Sequence, residues 1–256
     1  MTDTGNGKKV MVSEETDAKD NAIPVMKQVA HMVSDFPEKF GIPRQSTLVD
    51  ELESYVVFEP EYRREDALRG LEEYSHIWLI WEFSEAVRDG WSPTVRPPRL
   101  GGNTRMGVFA TRSPFRPNPI GLSCVRLEAV EKHPKYGMVL KVRGADLMDG
   151  TPILDIKPYL PHVDSHPEAR GGFAGKFENY ALTVEMPGTL LQKVPENRQK
   201  ALLKLLANDP RPGYQKDPSR VYGLDFAGLT VKFRVDKEKL TVCEVTERKN
   251  KGENRE

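Results

Sequence analysis

The chain has 256 residues, enough for one large domain or for one domain with a small appendage. Its 38 basic and 38 acidic residues cancel, so any electrostatic attraction to nucleic acid must be local. Two cysteines without a neighbouring histidine cluster indicate neither a zinc site nor a disulfide framework, and the apolar run Ile77–Trp81 is too short to span a membrane. We therefore expect a soluble cytoplasmic protein without a metal.

The first third of the chain contains few helical patterns. Residues 1–24 lack the apolar residues that build a core and are predicted to be a disordered leader, with order beginning at Val25. A strand is predicted at 26–33 and a short helix at 60–72. The run from His76 to Phe83 is apolar except at its first residue and one glutamate, which favours a strand buried on both faces.

The middle of the chain is rich in short strands. Apolar and polar residues alternate over 125–129 and again over 138–142, with a turn between them, which predicts an antiparallel hairpin. Further strands are predicted at 106–110, 153–157 and 178–186. Many short strands and few helices indicate a mainly β chain with a barrel or a sandwich.

The pattern changes after Pro187. A helix is predicted from Pro195 to just before Asp209, and alternating apolar residues at 229–235 and 240–242 predict a second hairpin. These elements form a small C-terminal α+β domain, followed by a charged tail. The predicted units are the leader, a first domain at 25–187, a second at 188–246 and a tail at 247–256. This division predicts that deletion of 188–256 leaves the first domain folded.

Charge is segregated within this neutral protein. From Gly90 to Leu127 there is no aspartate, glutamate or lysine, but there are six arginines. Arginine favours planar, bidentate recognition of phosphate or carboxylate, and an acid-free arginine segment on a β scaffold suits an anionic ligand such as RNA. The alternative is a set of surface arginines that pair with the acid-rich region 50–73. The arginines are Arg96, Arg99, Arg105, Arg112, Arg116 and Arg126.

A rigid loop, Thr111–Gly121, lies within this segment. Three prolines in six residues fix its backbone and remove amide donors. A rigid loop that presents Arg112, Ser113, Arg116 and Asn118 loses little entropy when a ligand binds. We therefore favour a binding loop over a purely structural one.

For other polar positions, sequence spacing alone favours a structural role over a functional one. Asp149 and Gly150 form a turn, and Asp155 and Lys157 share one strand face, which favours an ordinary turn and an exposed ion pair. Phe40–Gln45 is predicted to be a surface turn.

These segments, in this order, resemble the TsaA/TrmO family. The resemblance covers about residues 26–246, and its long central motif is specific. It implies a β-barrel core and a homodimer that transfers a methyl group from S-adenosylmethionine to N6 of threonylcarbamoyladenosine, next to the anticodon of threonine tRNA. The matching motifs are Phe40–Gln45, His76–Trp81, Gly101–Gly121, Asp149–Tyr159 and Asp209–Tyr214.

The resemblance also implies a set of residues that contact the methyl donor. A lone histidine at the start of an apolar strand is more often a hydrogen-bonded core residue than a ligand, so the donor role of His76 rests on the resemblance. The implied donor residues are Pro43, Arg44, Gln45, His76, Arg112, Leu122, Asp149, Gly150, Thr151 and Pro152.

Roles for the remaining polar residues follow from the implied reaction. The acceptor is a ureido nitrogen that must lose its proton, so a base or a proton-accepting water is required. Asp149 and Asp155 are the nearest candidates in sequence, and Arg112 suits the donor carboxylate. The competing hypothesis is a non-catalytic RNA- or nucleotide-binding barrel. The residues expected to bind tRNA are Arg96, Arg99, Arg105, Arg116, Arg211 and Tyr214.

Removal of residues 1–24 should leave donor binding and methyl transfer unchanged, because this segment lacks a core-forming pattern. The measurements are the calorimetric affinity for S-adenosylmethionine and the rate of methyl incorporation into tRNA. A folded truncated protein with a large loss of activity would contradict the expectation.

Overall fold

The structure, a computed structural model, describes residues 25–86, 90–177, 180–212, 215 and 217–249. The prediction of a mainly β chain is confirmed over these ranges. The predicted leader 1–24 lies outside the described residues, as do residues 250–256 of the predicted tail.

The elements are numbered in chain order. The strands are β1 (Ala30–Val33), β2 (Glu53–Phe58), β3 (His76–Glu82), β4 (Thr94–Val95), β5 (Met106–Gly107), β6 (Ile120–His133), β7 (Gly137–Arg143), β8 (Pro152–Pro158), β9 (Thr183–Glu185), β10 (Tyr222–Phe226), β11 (Leu229–Asp236) and β12 (Lys239–Glu247). The α-helices are α1 (Glu65–Leu68), α2 (Pro161–Asp164), α3 (Gly188–Leu191) and α4 (Glu196–Ala207).

Six strands close on themselves in the order β1-β2-β7-β6-β3-β8, with every pair antiparallel. The predicted hairpin is the β6–β7 pair. In β3 the buried residues Ile77, Leu79 and Trp81 alternate with partly exposed ones. The prediction that β3 is buried on both faces is therefore wrong, because a barrel strand turns only alternate side chains into the interior.

The predicted helix at 60–72 is much shorter in the structure. Only Glu65–Leu68 is α-helical, and a separate 3-10 turn follows at Leu71–Glu73. Gly70 adopts φ +86° between them, in the left-handed region that ends a helix. The local charge pattern favoured a helix but did not reveal this break.

The C-terminal region forms a four-stranded sheet in the order β10-β11-β12-β9, in which β9 runs parallel to β12. The predicted helix and hairpin correspond to α4 and to β11–β12. β10 was not predicted, because its apolar alternation spans only five residues that include a glycine and an aspartate. The buried residues of α4 are those predicted for its apolar face: Ala201, Leu202, Leu205 and Leu206.

The core of this C-terminal region also includes residues from the β1–β2 connection, residues 34–52. Phe36, Val49 and Leu52 are at most 2% exposed and belong to the same apolar cluster as β10, β11 and α4. The rings of Phe36 and Phe226 lie 5.6 Å apart. Deletion of 188–256 would expose this apolar surface, so the structure argues against the expectation that the first domain stays folded alone.

Phe36→Ala should lower the free energy of unfolding by about 3–5 kcal/mol, because it removes a buried ring from the shared core. Phe109→Ala is the matched control, since that ring is 72% exposed and should cost less than about 0.5 kcal/mol. Urea denaturation followed by circular dichroism measures both. Equal losses would mean that the shared core does not stabilise the protein.

Candidate functional site

A cleft of about 710 Å³ opens at one end of the barrel, which we call the barrel-end cleft. Its volume falls within the range of about 300–1,000 Å³ typical of small-molecule sites. Apolar walls come from Ile42, Trp81, Phe83 and Phe109, which suits a ligand with an aromatic ring. Its polar lining includes Arg44, Gln45, Glu82, Glu85, Arg112, Arg116, Asn118, Asp146 and Thr151.

The wall around Trp81 depends on a glycine in the facing strand. Trp81 of β3 pairs with Gly121 of β6, and a Cβ atom at Gly121 would lie 2.2 Å from the indole ring. The indole nitrogen Nε1 donates a hydrogen bond to Ser123 Oγ at 3.0 Å, and the ring packs on Phe83 with centroids 4.2 Å apart. The final glycine of the rigid loop is therefore needed for the close approach of the Trp81 ring.

Asp146 lies on the wall of the cleft, in the connection between β7 and β8. Ser123 Oγ donates to Asp146 Oδ1 at 2.6 Å, and the backbone of Ser46 also hydrogen-bonds to the carboxylate. Burial raises the pKa of Asp146 above its ordinary value, while the hydrogen bond from Ser123 and the charge of Arg112 oppose that rise. The cleft thus contains a carboxylate with enhanced basicity.

The segment Pro43–Gln45 borders the cleft and is held by the C-terminal region. Arg44 Nη2 donates to the carbonyl oxygens of Asp209 at 3.2 Å and Arg211 at 2.8 Å. Gly41 adopts φ +90°, and a Cβ atom there would lie 1.9 Å from the side chain of Leu224. Close packing against β10 therefore determines where this segment lies.

The structure brings several of the predicted donor residues together. Arg112 Nη1 donates a hydrogen bond to Gln45 Oε1, which joins the rigid loop to the 43–45 segment. The predicted donor residues that line the cleft are Pro43, Arg44, Gln45, Arg112, Leu122 and Thr151.

The other predicted donor residues do not line the cleft. His76 is at the far end of β3, five residues from Trp81, which corresponds to about 16 Å along a strand. Its ring contacts Tyr159 at 6.1 Å, and its Nδ1 hydrogen-bonds to Ser75 Oγ. Asp149, Gly150 and Pro152 flank the cleft residue Thr151 in sequence but are absent from the cleft lining.

Both residues predicted to act as the base lie outside the cleft. Asp149 is exposed and accepts a hydrogen bond from the Ser34 backbone N–H at 3.1 Å. Asp155 pairs with Lys157 Nζ at 2.9 Å on the exposed side of β8, as the spacing alone indicated. Neither carboxylate is among the residues that line the cleft, so the structure gives no support for either as the base.

Sequence reasoning missed Asp146, Glu82, Ser84 and Glu85, which all line the cleft. Asp146 lies three residues before Asp149 in the sequence, and only its burial and contacts distinguish the two carboxylates. Ser84 and Glu85 follow β3 in a 3-10 turn. Their position next to the apolar run of β3 was the only sequence signal available.

The acid-free segment presents arginines beside the cleft. Arg96 and Arg105 are exposed on or beside the small β4–β5 sheet, where Arg105 Nη1 donates to Thr94 Oγ1 at 3.3 Å. Arg116 lines the cleft, and its Nη1 donates to the Thr111 carbonyl at 3.2 Å. No ion pair described in the structure joins this segment to an acid of 50–73, which disfavours the alternative interpretation. The side chain of Arg99 lies outside the described residues.

Two residues of the C-terminal loop, Arg211 and Tyr214, were predicted to contact tRNA. Arg211 makes a bidentate ion pair with Asp209, at 2.8 and 3.0 Å, and both side chains are about 10% exposed. Tyr180 Oη also donates to Asp209 Oδ2 at 3.0 Å. Arg211 therefore holds the loop together and is not presented for phosphate contact. Tyr214 lies outside the described residues.

The described residues contain no group of three or more His, Cys, Asp or Glu side chains that could hold a metal ion. Within the same described ranges, no helix is long and apolar enough to cross a membrane.

Two family models match this chain in succession. The model of the tRNA-methyltransferase O N-terminal domain matches residues 31–165, and the model of the TrmO C-terminal domain matches residues 181–248. The chain belongs to the TrmO family. This confirms the resemblance seen in the motifs, and it assigns the barrel from residue 31 onward and the whole C-terminal sheet to TrmO domains.

Individual TrmO relatives match over most of their length. The chain is 42% identical over 217 residues to the tRNA (adenine(37)-N6)-methyltransferase of Escherichia coli K12, covering 82% of this chain and 92% of the relative. It is 48% identical over 165 residues to that of Eikenella corrodens, covering 64% and 92%. A crystal structure of TrmO from Pseudomonas aeruginosa superposes with a TM-score of 0.70 at 33% identity, covering 88% of this chain and 99% of that one.

Gly121→Ala should destabilise this TrmO protein by about 1–3 kcal/mol, because the new methyl group meets the Trp81 ring rather than a flexible chain end. Gly107→Ala is the control, since a Cβ atom there meets nothing within 4 Å. Urea denaturation gives the free energies, and tryptophan fluorescence reports the displaced ring. A Gly121 variant as stable as the control would contradict the close contact.

Proposed function

We propose that this chain transfers a methyl group from S-adenosylmethionine to N6 of adenosine 37 in tRNA. The observation that carries the proposal is a ligand-sized cleft bordered by an arginine segment without acidic residues. Arginines on the rim attract the phosphates of an RNA, while the cleft accommodates a smaller, partly aromatic ligand. The names of the E. coli and Eikenella relatives support the same reaction.

The lining of the cleft fits the methyl donor. S-adenosylmethionine combines an adenine ring, a carboxylate and two cationic groups, and when bound it supplies an electrophilic methyl group. Arg112 suits the carboxylate, and the apolar walls at Ile42, Trp81 and Phe83 suit the ring. The carboxylate of Glu82 complements the cationic groups. The cleft thus contains a partner for each part of the donor.

Contacts to tRNA are proposed for the exposed side of the acid-free segment. Arg96 and Arg105 are exposed and would contact phosphates, with Arg99 between them in sequence and Arg116 at the cleft. Trp91 and Phe109 are exposed, with ring centroids 6.2 Å apart, and offer surfaces on which an unpaired base can stack. This arrangement favours a single-stranded loop over a duplex.

Finer features of the proposal follow the family resemblance. The acceptor would be threonylcarbamoyladenosine of threonine tRNA, and the protein a cytoplasmic homodimer. The barrel domain at 25–187 would bind the donor, and the domain at 188–246 would hold the 43–45 segment in place.

Mass spectrometry of tRNA nucleosides tests the proposed reaction. The protein is incubated with methyl-labelled S-adenosylmethionine and tRNA that carries or lacks threonylcarbamoyladenosine. We expect one labelled methyl group on the adenosine derivative next to the anticodon of the modified threonine tRNA. Binding of tRNA without any label in its nucleosides would instead support a non-catalytic RNA-binding barrel.

Arg112→Ala should weaken donor binding about tenfold or more while leaving tRNA affinity nearly unchanged, because Arg112 faces the cleft. Arg96→Ala should weaken tRNA binding, leave donor binding nearly unchanged, and reduce the salt dependence of tRNA binding by about one unit of slope.

The control is Arg234→Ala, which changes an exposed arginine on β11. Calorimetry and filter binding over a salt series measure these effects. Equal loss of donor affinity in the two test variants would refute the assigned roles.

A further inference from the structure

Three side chains form a directed hydrogen-bond relay that ends on the wall of the barrel-end cleft. Trp81 Nε1 lies 3.0 Å from Ser123 Oγ, which lies 2.6 Å from Asp146 Oδ1. Ser123 is 1% exposed and Trp81 is 8% exposed, so the first two members are shielded from solvent. Asp146 is the member that is partly exposed and lines the cleft.

The direction of each hydrogen bond is fixed by chemistry. An indole nitrogen can only donate, so Ser123 Oγ accepts from Trp81 and directs its own proton to Asp146. Asp146 is therefore held as an acceptor at Oδ1. The backbone of Ser46 adds a further hydrogen bond, which ties the carboxylate to the segment that follows Gln45.

The other carboxylates of the cleft are less suited to accept a proton. Glu85 is about half exposed, and its carboxylate is already paired with Lys39 Nζ at 3.2 Å. Glu82 ends β3 and takes no part in the relay. Asp146 combines a fixed orientation, partial burial and a position on the cleft wall. The positive charge of Arg112 lowers its pKa, but burial raises that pKa by more.

We propose that Asp146 accepts the N6 proton of the methyl acceptor, positioned by the Ser123–Trp81 relay. The inference rests on the proposed methyl transfer. The acceptor nitrogen forms a bond to the methyl carbon as the carbon–sulfur bond breaks, and that bonding pair remains on the sulfur. The N–H proton passes to the carboxylate of Asp146. The positive sulfonium and the negative carboxylate thus become a neutral thioether and a neutral carboxylic acid.

Physical arguments favour this carboxylate as the base. A general base is most effective when its pKa lies near the working pH, and burial raises the pKa of Asp146 in that direction. The base must be ionised, so the rate falls as the pH falls through that raised pKa. The relay fixes the orientation of the carboxylate, and the hydrogen bond from Ser123 and the charge of Arg112 only partly offset the rise in pKa that burial causes.

Asp146→Asn is the principal test, with Asp236→Asn, an exposed aspartate at the end of β11 that does not line the cleft, as the control. We expect Asp146→Asn to keep its melting temperature and to bind S-adenosylmethionine within about threefold of wild type. Its single-turnover methyl transfer to tRNA should fall about 100-fold or more. The acidic limb of the wild-type pH–rate profile should disappear in this variant and persist in the control.

Ser123→Ala gives a second, independent readout. It leaves the carboxylate in place but removes a hydrogen bond to its charged form, so the pKa of Asp146 rises further and the acidic limb moves to higher pH. A purely structural role would lower the rate by the same factor at every pH. An unshifted limb in Ser123→Ala would therefore overturn the relay.

The outcomes separate this inference from the proposed function. If the wild-type protein transfers no methyl group to tRNA, the proposed function fails. If the wild type is active and Asp146→Asn retains its rate within twofold, the function stands and Asp146 is not the base. A loss of donor affinity as large as the loss of rate would also overturn the inference, because Asp146 would then serve donor binding.

Discussion

The packing of the β1–β2 connection against the C-terminal sheet is the constraint on which the cleft depends. Phe36 lies in the C-terminal core, and Gly41 allows β10 to approach closely. These contacts determine where the next residues, Pro43–Gln45, meet the barrel end. The guanidinium of Arg44 completes the arrangement by hydrogen-bonding to two carbonyls of the loop after α4. The C-terminal domain therefore helps to form the cleft rather than being an independent appendage.

The same loop shows why a polar motif need not contact a substrate. Burial alone would raise the pKa of Asp209, but the hydrogen bonds and charge of Arg211 outweigh it and lower that pKa. The pair and Tyr180 keep the loop in one conformation and leave its carbonyls available to Arg44. Residues that matched the family motif at this position thus act on the cleft through Arg44.

The rim and the wall of the cleft differ in the sign of their charge. The acid-free segment gives the rim a positive potential within a neutral protein, which favours the approach of a polyanion. Asp146 lies inside this rim, in contact with Ser123 rather than with a lysine. Arg112 hydrogen-bonds to Gln45, and its positive charge also lowers the pKa of Asp146, so one guanidinium contacts the 43–45 segment and acts on the carboxylate.

The sequence by itself determined the elements whose signal is local: the β6–β7 hairpin, α4 with its apolar face, and the arginine segment. Its motifs also determined the family. Only the tertiary structure decided which polar residues meet. Asp146 reaches Ser123 across 23 positions, and Ser123 reaches Trp81 across 42, whereas His76 shares a strand with Trp81 but lies at its other end. Side-chain periodicity reports which face of an element is buried, but long-range strand pairing brings distant residues together, and no local pattern encodes that pairing.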